Sequence, residues 1–159
     1  MLTELLATAD AYATGARFLT NLTADFAPAD WLVEDGASHN PRWIVGHLAA
    51  SRRNLLKLVG LPQPAAAWEP LFGRGSSATG LPADLDMAEI LADVQASQAL
   101  LAGRWDALTS EALAAPFPRR LPNGSERVGG ALQFLAWHEA YHLGQLGLLR
   151  RLAGKSGLA

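Results

Sequence analysis

The chain has 159 residues, half of them apolar, no cysteine, and 13 basic against 15 acidic side chains for a formal charge of -2. That length and composition fit one domain with a sizeable core, and the near-balance of charge, with no long block of either sign, argues against nucleic-acid or membrane-surface binding. Without cysteine there are no disulfides, thiolate metal ligands or cysteine nucleophile, so any thiol chemistry needs a thiol brought by a second substrate.

The N-terminal stretch MLTELLATADAY carries Glu4 and no basic run ahead of its apolar positions, so it does not read as a signal peptide. No apolar run approaches the about 20 residues needed to span a bilayer, and a soluble cytoplasmic protein is expected. The first helical segment runs from about Leu2 to Phe26, with Leu2, Leu5, Leu6, Ala9, Ala13, Ala16, Leu19 and Leu22 spaced as one buried face requires. A second begins at HNPRW, where Asn40 suits the N-cap and Pro41 the first helical position, and closes near Gly60-Leu61-Pro62. Its stripe is Ile44, His47 or Leu48, Ser51, Leu55 and Leu58.

From Leu61 to Leu85 the chain is rich in Pro, Gly and Ser, which predicts a long crossover strapped onto the bundle, with Trp68, Leu71 and Phe72 as anchors. A third helix opens at Asp86, a capping residue, and carries Met87, Ile90, Leu91, Val94, Leu101, Trp105 and Leu108 on one side. Ser110 to Gly124, with three prolines, reads as a second irregular connection. The fourth helix starts near Ser125 or Glu126 and shows Val128, Leu132, Leu135, His138, His142, Leu146, Leu149 and Leu152 on one side. No segment alternates with period two for long, so the expected fold is all-α: one domain over 1–159, a four-helix bundle, antiparallel or crossed over, with the long loop joining helices two and three.

His138 and His142 belong to HEAYH, which fits the H-E-x-x-H pattern of zinc peptidases. Four apart on a helix, they lie on one face with Cβ atoms roughly 6 Å apart. Two readings stand: a pair of core histidines with ordinary partners, or two ligands of one metal ion. The peptidase reading fails beyond His142, because LGQLGLLRRLAGKSGLA offers no downstream His, Asp or Glu ligand and no strand is expected. Glu139 then reads as a helix-surface or supporting residue rather than a catalytic base. A third ligand must lie upstream. His39, a lone histidine ahead of the second helix, reads as solvated, whereas His47 shares the inward stripe of helix two. Three neutral imidazoles with one open position form a catalytic type of metal site.

RWIVGHLAAS around His47, WEPLFGRGSS in the crossover and HEAYHLGQLGLLRRLAG from His138 to Gly154 together resemble the DinB-like (DinB/YfiT) metalloenzyme family, in order and spacing over nearly the whole chain. The resemblance implies up-down-down-up connections, a metal triad of His47, His138 and His142, zinc or nickel as the ion, and a homodimer. It also implies a low-molecular-weight thiol cosubstrate for some relatives. The specific reaction does not carry over, since fold does not fix function.

Around the triad, Gln145 is three residues after His142, and Trp43 and Ser51 lie four residues either side of His47, so all three are candidate pocket residues. Gly144 and Gly147 read first as close-packing sites between helices and second as room for a ligand. Arg52, Arg53, Arg150 and Arg151 are candidates to hold an acidic cosubstrate at the bundle mouth, against the plainer expectation of solvated helix ends. The expected function is a metal-dependent enzyme, a thiol transferase or hydrolase. The alternative is a non-catalytic metal- or ligand-binding dimeric bundle.

Overall fold

A computed structural model describes residues 1–34, 36 and 39–157. Leu158 and Ala159, at the end of the expected domain, lie outside the described residues. A 3-10 turn at Thr3–Leu5 leads into α1 (Leu6–Thr23), followed by α2 (Pro41–Leu58), α3 (Met87–Arg104), the short α4 (Ser110–Ala114) and α5 (Val128–Leu152). Among the described residues the extended pairing is limited to one isolated bridge, Pro116 to Arg127. The expected all-α class is what the chain forms.

The helix starts follow local chemistry. The Asn40 side chain accepts from the Trp43 N–H at 3.0 Å with Pro41 at the first position, and Asp86 accepts from the amides of Ala88 and Glu89. These bonds satisfy amides that the helix leaves without partners. Boundaries differ from expectation: α1 spans Leu6–Thr23 rather than about Leu2 to Phe26, and α3 ends at Arg104, with Trp105 in a 3-10 turn and Leu108 beyond it. The last helix begins at Val128 rather than Ser125 or Glu126, because the Phe117 amide donates to Glu126 C=O and the Val128 amide to Ala115 C=O, holding the preceding residues extended. The connection after Leu108 contains α4, which the Thr109 side chain caps through the Ala112 amide.

Each of the four long helices packs against two others: α5 lies between α1 and α2, and α3 bridges the same two from the other side. Long-range bonds give their directions. Tyr12 meets Leu132 near the starts of α1 and α5, and Arg150 meets Leu22 near their ends, so these two run parallel. Arg53 pairs with Asp93 and Arg104 donates to Val59 C=O, so α2 and α3 are parallel as well. Gln95 bonds Thr20 while Trp105 stacks on Tyr12, which opposes α3 to α1. With α2 and α3 running the same way, a long crossover must join them.

The core is two apolar clusters. One contains Leu19, Trp43, Ile44, Leu48, Phe72, Ile90 and Leu146; the other contains Leu5, Tyr12, Leu55, Leu101, Trp105 and Leu132. At their junction each long helix carries a different residue type: Gly15 on α1, Arg52 on α2, Ser97 on α3 and Glu139 on α5. Arg52 is 1% exposed and Glu139 5%, so a charged layer crosses the bundle. The Arg52 fork donates to both Glu139 oxygens at 2.9 and 2.6 Å, to Gln98 Oε1 and to Tyr12 C=O. A Cβ on Gly15 would overlap Glu139 Oε1, so the glycine makes room for the carboxylate.

The crossover docks as expected through buried Trp68 and Phe72, with Leu71 partly buried against the same cluster. The Phe72 ring lies directly on Gly46, where a Cβ would overlap three of its atoms. Among the described residues no helix is long and apolar enough to cross a membrane.

Candidate metal centre

His47 sits one residue after Gly46 on α2, and the docked crossover brings Phe72 C=O to within 2.8 Å of its Nδ1. Because a carbonyl only accepts, Nδ1 carries the proton and Nε2 turns its lone pair inward. On α5, His142 Nδ1 lies 2.7 Å from Gln145 Oε1, while the Gln145 amide nitrogen donates to Tyr141 Oη at 3.3 Å. His142 Nε2 is therefore also a bare acceptor. Both acceptors face His138 Nε2, at 3.2 Å from His47 and 3.1 Å from His142.

One ligand atom from each histidine lies within 4.8 Å of the others. His138 can donate a single proton from Nε2, to one neighbour only, so three converging imidazole nitrogens cannot all be satisfied among themselves. Its other nitrogen, Nδ1, is buried without a hydrogen-bond partner. Burial first, and neighbouring histidines second, lower the pKa of all three rings, to about 4 for His138 and His142. At neutral pH the cluster is uncharged, and its donor set fits a divalent cation that accepts imidazole nitrogen.

Trp43 walls the cluster. Its ring stacks on His47 at 4.7 Å and 7°, meets His142 edge to face at 5.9 Å, and is held by a bond from Nε1 to Ser76 Oγ in the crossover. A cleft of about 1160 Å³ opens over the histidines, lined by His47 and His138 together with Trp43, Ser51, Phe72 and Phe134. Of the candidate pocket residues, Trp43 and Ser51 line this cleft, while Gln145 stands behind His142 and holds its ring. His39 also lines the cleft, with its ring 4.3 Å from Trp43 and its Nδ1 buried. The expectation of a solvated loop histidine is thereby corrected: the turn into α2 lays it against the tryptophan.

Several other expectations change. Glu139 is neither on the helix surface nor at the centre: one residue on from His138 it points about 100° around the helix, into the Arg52 pair. Burial raises its pKa against the opposing pull of Arg52. This orientation removes the peptidase-like general base. Arg52, Arg53 and Arg150 do not wait at a mouth for a cosubstrate, since they pair with Glu139, with Asp93 and Glu69, and with Asp25 respectively. Arg151 lines a separate groove between α1 and α5. Gly144 has open space where a Cβ would stand and Gly147 only an ordinary contact to Leu22, whereas a Cβ on Gly15, Gly46 or Gly130 would overlap a neighbour.

What sequence reasoning missed are the supports: the Phe72 carbonyl, the Arg52 partner of Glu139, and the approach of His39. Gly46 beside His47 was the available signal for the first, since a helix glycine next to a candidate ligand marks a close approach. A model of the DinB superfamily matches residues 11–146 of the chain, a span that includes all three histidines and Gln145. No curated protein matches it.

Proposed function

The chain belongs to the DinB superfamily, and we propose that it is a metal-dependent enzyme whose divalent ion, zinc or nickel, is held by His47, His138 and His142. The observation that carries this reading is the convergence of three neutral Nε2 atoms with both flanking Nδ1 protons already committed elsewhere. An ion bound there supplies Lewis acidity, lowering the pKa of a water or thiol that joins it. The remaining work falls to the protein's own groups. Phe72 C=O and Gln145 fix two ring tautomers, Trp43 fixes the His47 plane, and the cleft walls exclude water around whatever reacts.

Among the residues lining the cleft the sole carboxylate is Glu69, which binds Lys57 at 2.9 Å. With no free carboxylate base and no cysteine, the reading that suits the site is activation of an external nucleophile: a low-molecular-weight thiol for transfer to an electrophile, or water for hydrolysis. The decisive experiment is elemental analysis of protein purified without a polyhistidine tag or added metal, beside the melting temperature with zinc or nickel added. Close to one ion per chain, lost in His47→Ala, supports the reading. No metal above background, together with an unmoved melting temperature, sinks it.

A further inference from the structure

Two arginines that line the cleft make no ion pair among the described residues. Arg74 comes from the crossover just after Phe72, and Arg119 from the connection preceding α5; both line the cleft over the histidines and both are exposed. The third cation of the lining, Lys57, is committed to Glu69, which also faces Arg53. The cleft lining therefore carries, among the described residues, two positive charges without a carboxylate partner, contributed by separate segments.

Elsewhere the walls are apolar: Trp43, Phe72, Phe117, Phe134 and Leu135. Ser51 and Asn54 are the neutral polar groups on the α2 side. This pairing of two cations and apolar walls selects against both neutral hydrocarbons and sugar phosphates, since the first leave the arginines unused and the second leave the walls wet. A carboxylate matches the guanidinium fork, which accepts planar oxyanions through paired N–H donors.

We propose that the cleft takes a small organic acid with an apolar body, its carboxylate received by Arg74 and Arg119 and its body lying along Trp43 and Phe134 toward the histidines. This deepens the metal reading above and rests on it for what happens at the inner end, while binding itself is separable from the metal.

The test uses a matched pair of probes, 4-phenylbutyrate and 4-phenylbutanamide, titrated calorimetrically into the full chain in zinc-loaded and chelator-treated form. The acid is expected to bind about fivefold tighter than the amide in both forms, roughly 1 kcal/mol, with the ratio shrinking at high salt. The double variant Arg74→Gln/Arg119→Gln is expected to bring the two affinities within about twofold, leaving the melting temperature unchanged because both side chains are exposed and make no ion pair among the described residues. Equal affinities in the parent chain, a preference that survives the double variant, or no saturable binding of either probe would overturn the proposal. A preference seen only with zinc would also overturn it, since the carboxylate would then be reading the ion rather than the arginines. Failure of the metal reading appears separately, as absent metal with the acid preference intact.

Discussion

Two histidines of the centre are each aimed by a single group, His47 by the Phe72 carbonyl and His142 by Gln145. His47 is set by a backbone carbonyl that arrives only because the Phe72 ring can lie on Gly46. Gly46→Ala drives a methyl into a fully buried ring, and overpacking of this kind costs about 1 to 3 kcal/mol, or about 3 to 10 °C in melting temperature for a chain of this size. Because the ring and the carbonyl belong to one residue, zinc affinity should fall with stability; a variant that melts earlier yet binds zinc as before would separate the two. The histidines also make the metal-free protein sensitive to acid. Their folded pKa values lie below the unfolded value, at about 4 for His138 and His142, so between about pH 6.5 and 4 the unfolded chain takes up protons that the folded chain refuses. This contribution is full above pH 6.5 and is lost as pH falls through the window. Thermal melts of chelator-treated protein should show that decline, and His142→Gln should make it shallower; identical slopes in the two proteins would refute the assignment. At this scale the sequence was partly legible. Helical spacing alone put His138 and His142 together and His47 on an inward stripe, whereas the Phe72 carbonyl has no side-chain signature, and Arg52 lies 87 residues from the Glu139 it holds.

Among elements, the caps written in residues 40–43 and 86–89 were readable because capping is local. The start of α5 was not, because a bridge to Pro116 from the preceding connection overrides it. Nor was the layer at mid-bundle readable: Gly15, Arg52, Ser97 and Glu139 come one from each long helix, and only the assembled bundle places them level. That layer interrupts an otherwise apolar core, and a charged pair there fixes which turn of α5 faces which turn of α2. Removing one partner strands the other: Arg52→Met leaves Glu139 buried beside Gly15, a change expected to cost about 3 to 5 kcal/mol. Replacing both, as Arg52→Met/Glu139→Met, takes away the stranded charge, and the double variant should be more stable than Arg52→Met alone. Urea denaturation of the four proteins in the cycle measures the coupling. Strictly additive losses would mean that the pair contributes packing and not charge.

For the whole molecule, the face of α5 turned away from the bundle raises the question of a second copy. Trp137, Tyr141, Leu148 and Leu152 are 63%, 54%, 51% and 55% exposed along one stripe, with the turn at Gly144 and Gln145 between the two pairs. Beside them a groove of about 760 Å³ between α1 and α5 is lined by Phe18, Gly144, Gly147 and Leu148, with open space over Gly144 that can admit a neighbouring side chain. The homodimer implied by the resemblance is a proposal for this surface. It is attractive because the stripe touches the site: Trp137 stacks on Tyr141, whose hydroxyl accepts from the Gln145 that holds His142. A twofold contact there would need to bury about 800 Å² on each copy to be stable. Light scattering on the purified chain should return the mass of two copies, and Trp137→Lys/Leu148→Lys should return one, since two buried ammonium groups at a dry contact are costly to desolvate. If covering the stripe also stiffens Gln145, the single-copy variant should retain its metal but release it faster to a chelator. A parent chain that scatters as one copy would remove both the dimer and that coupling, leaving the triad to be supported from within its own bundle.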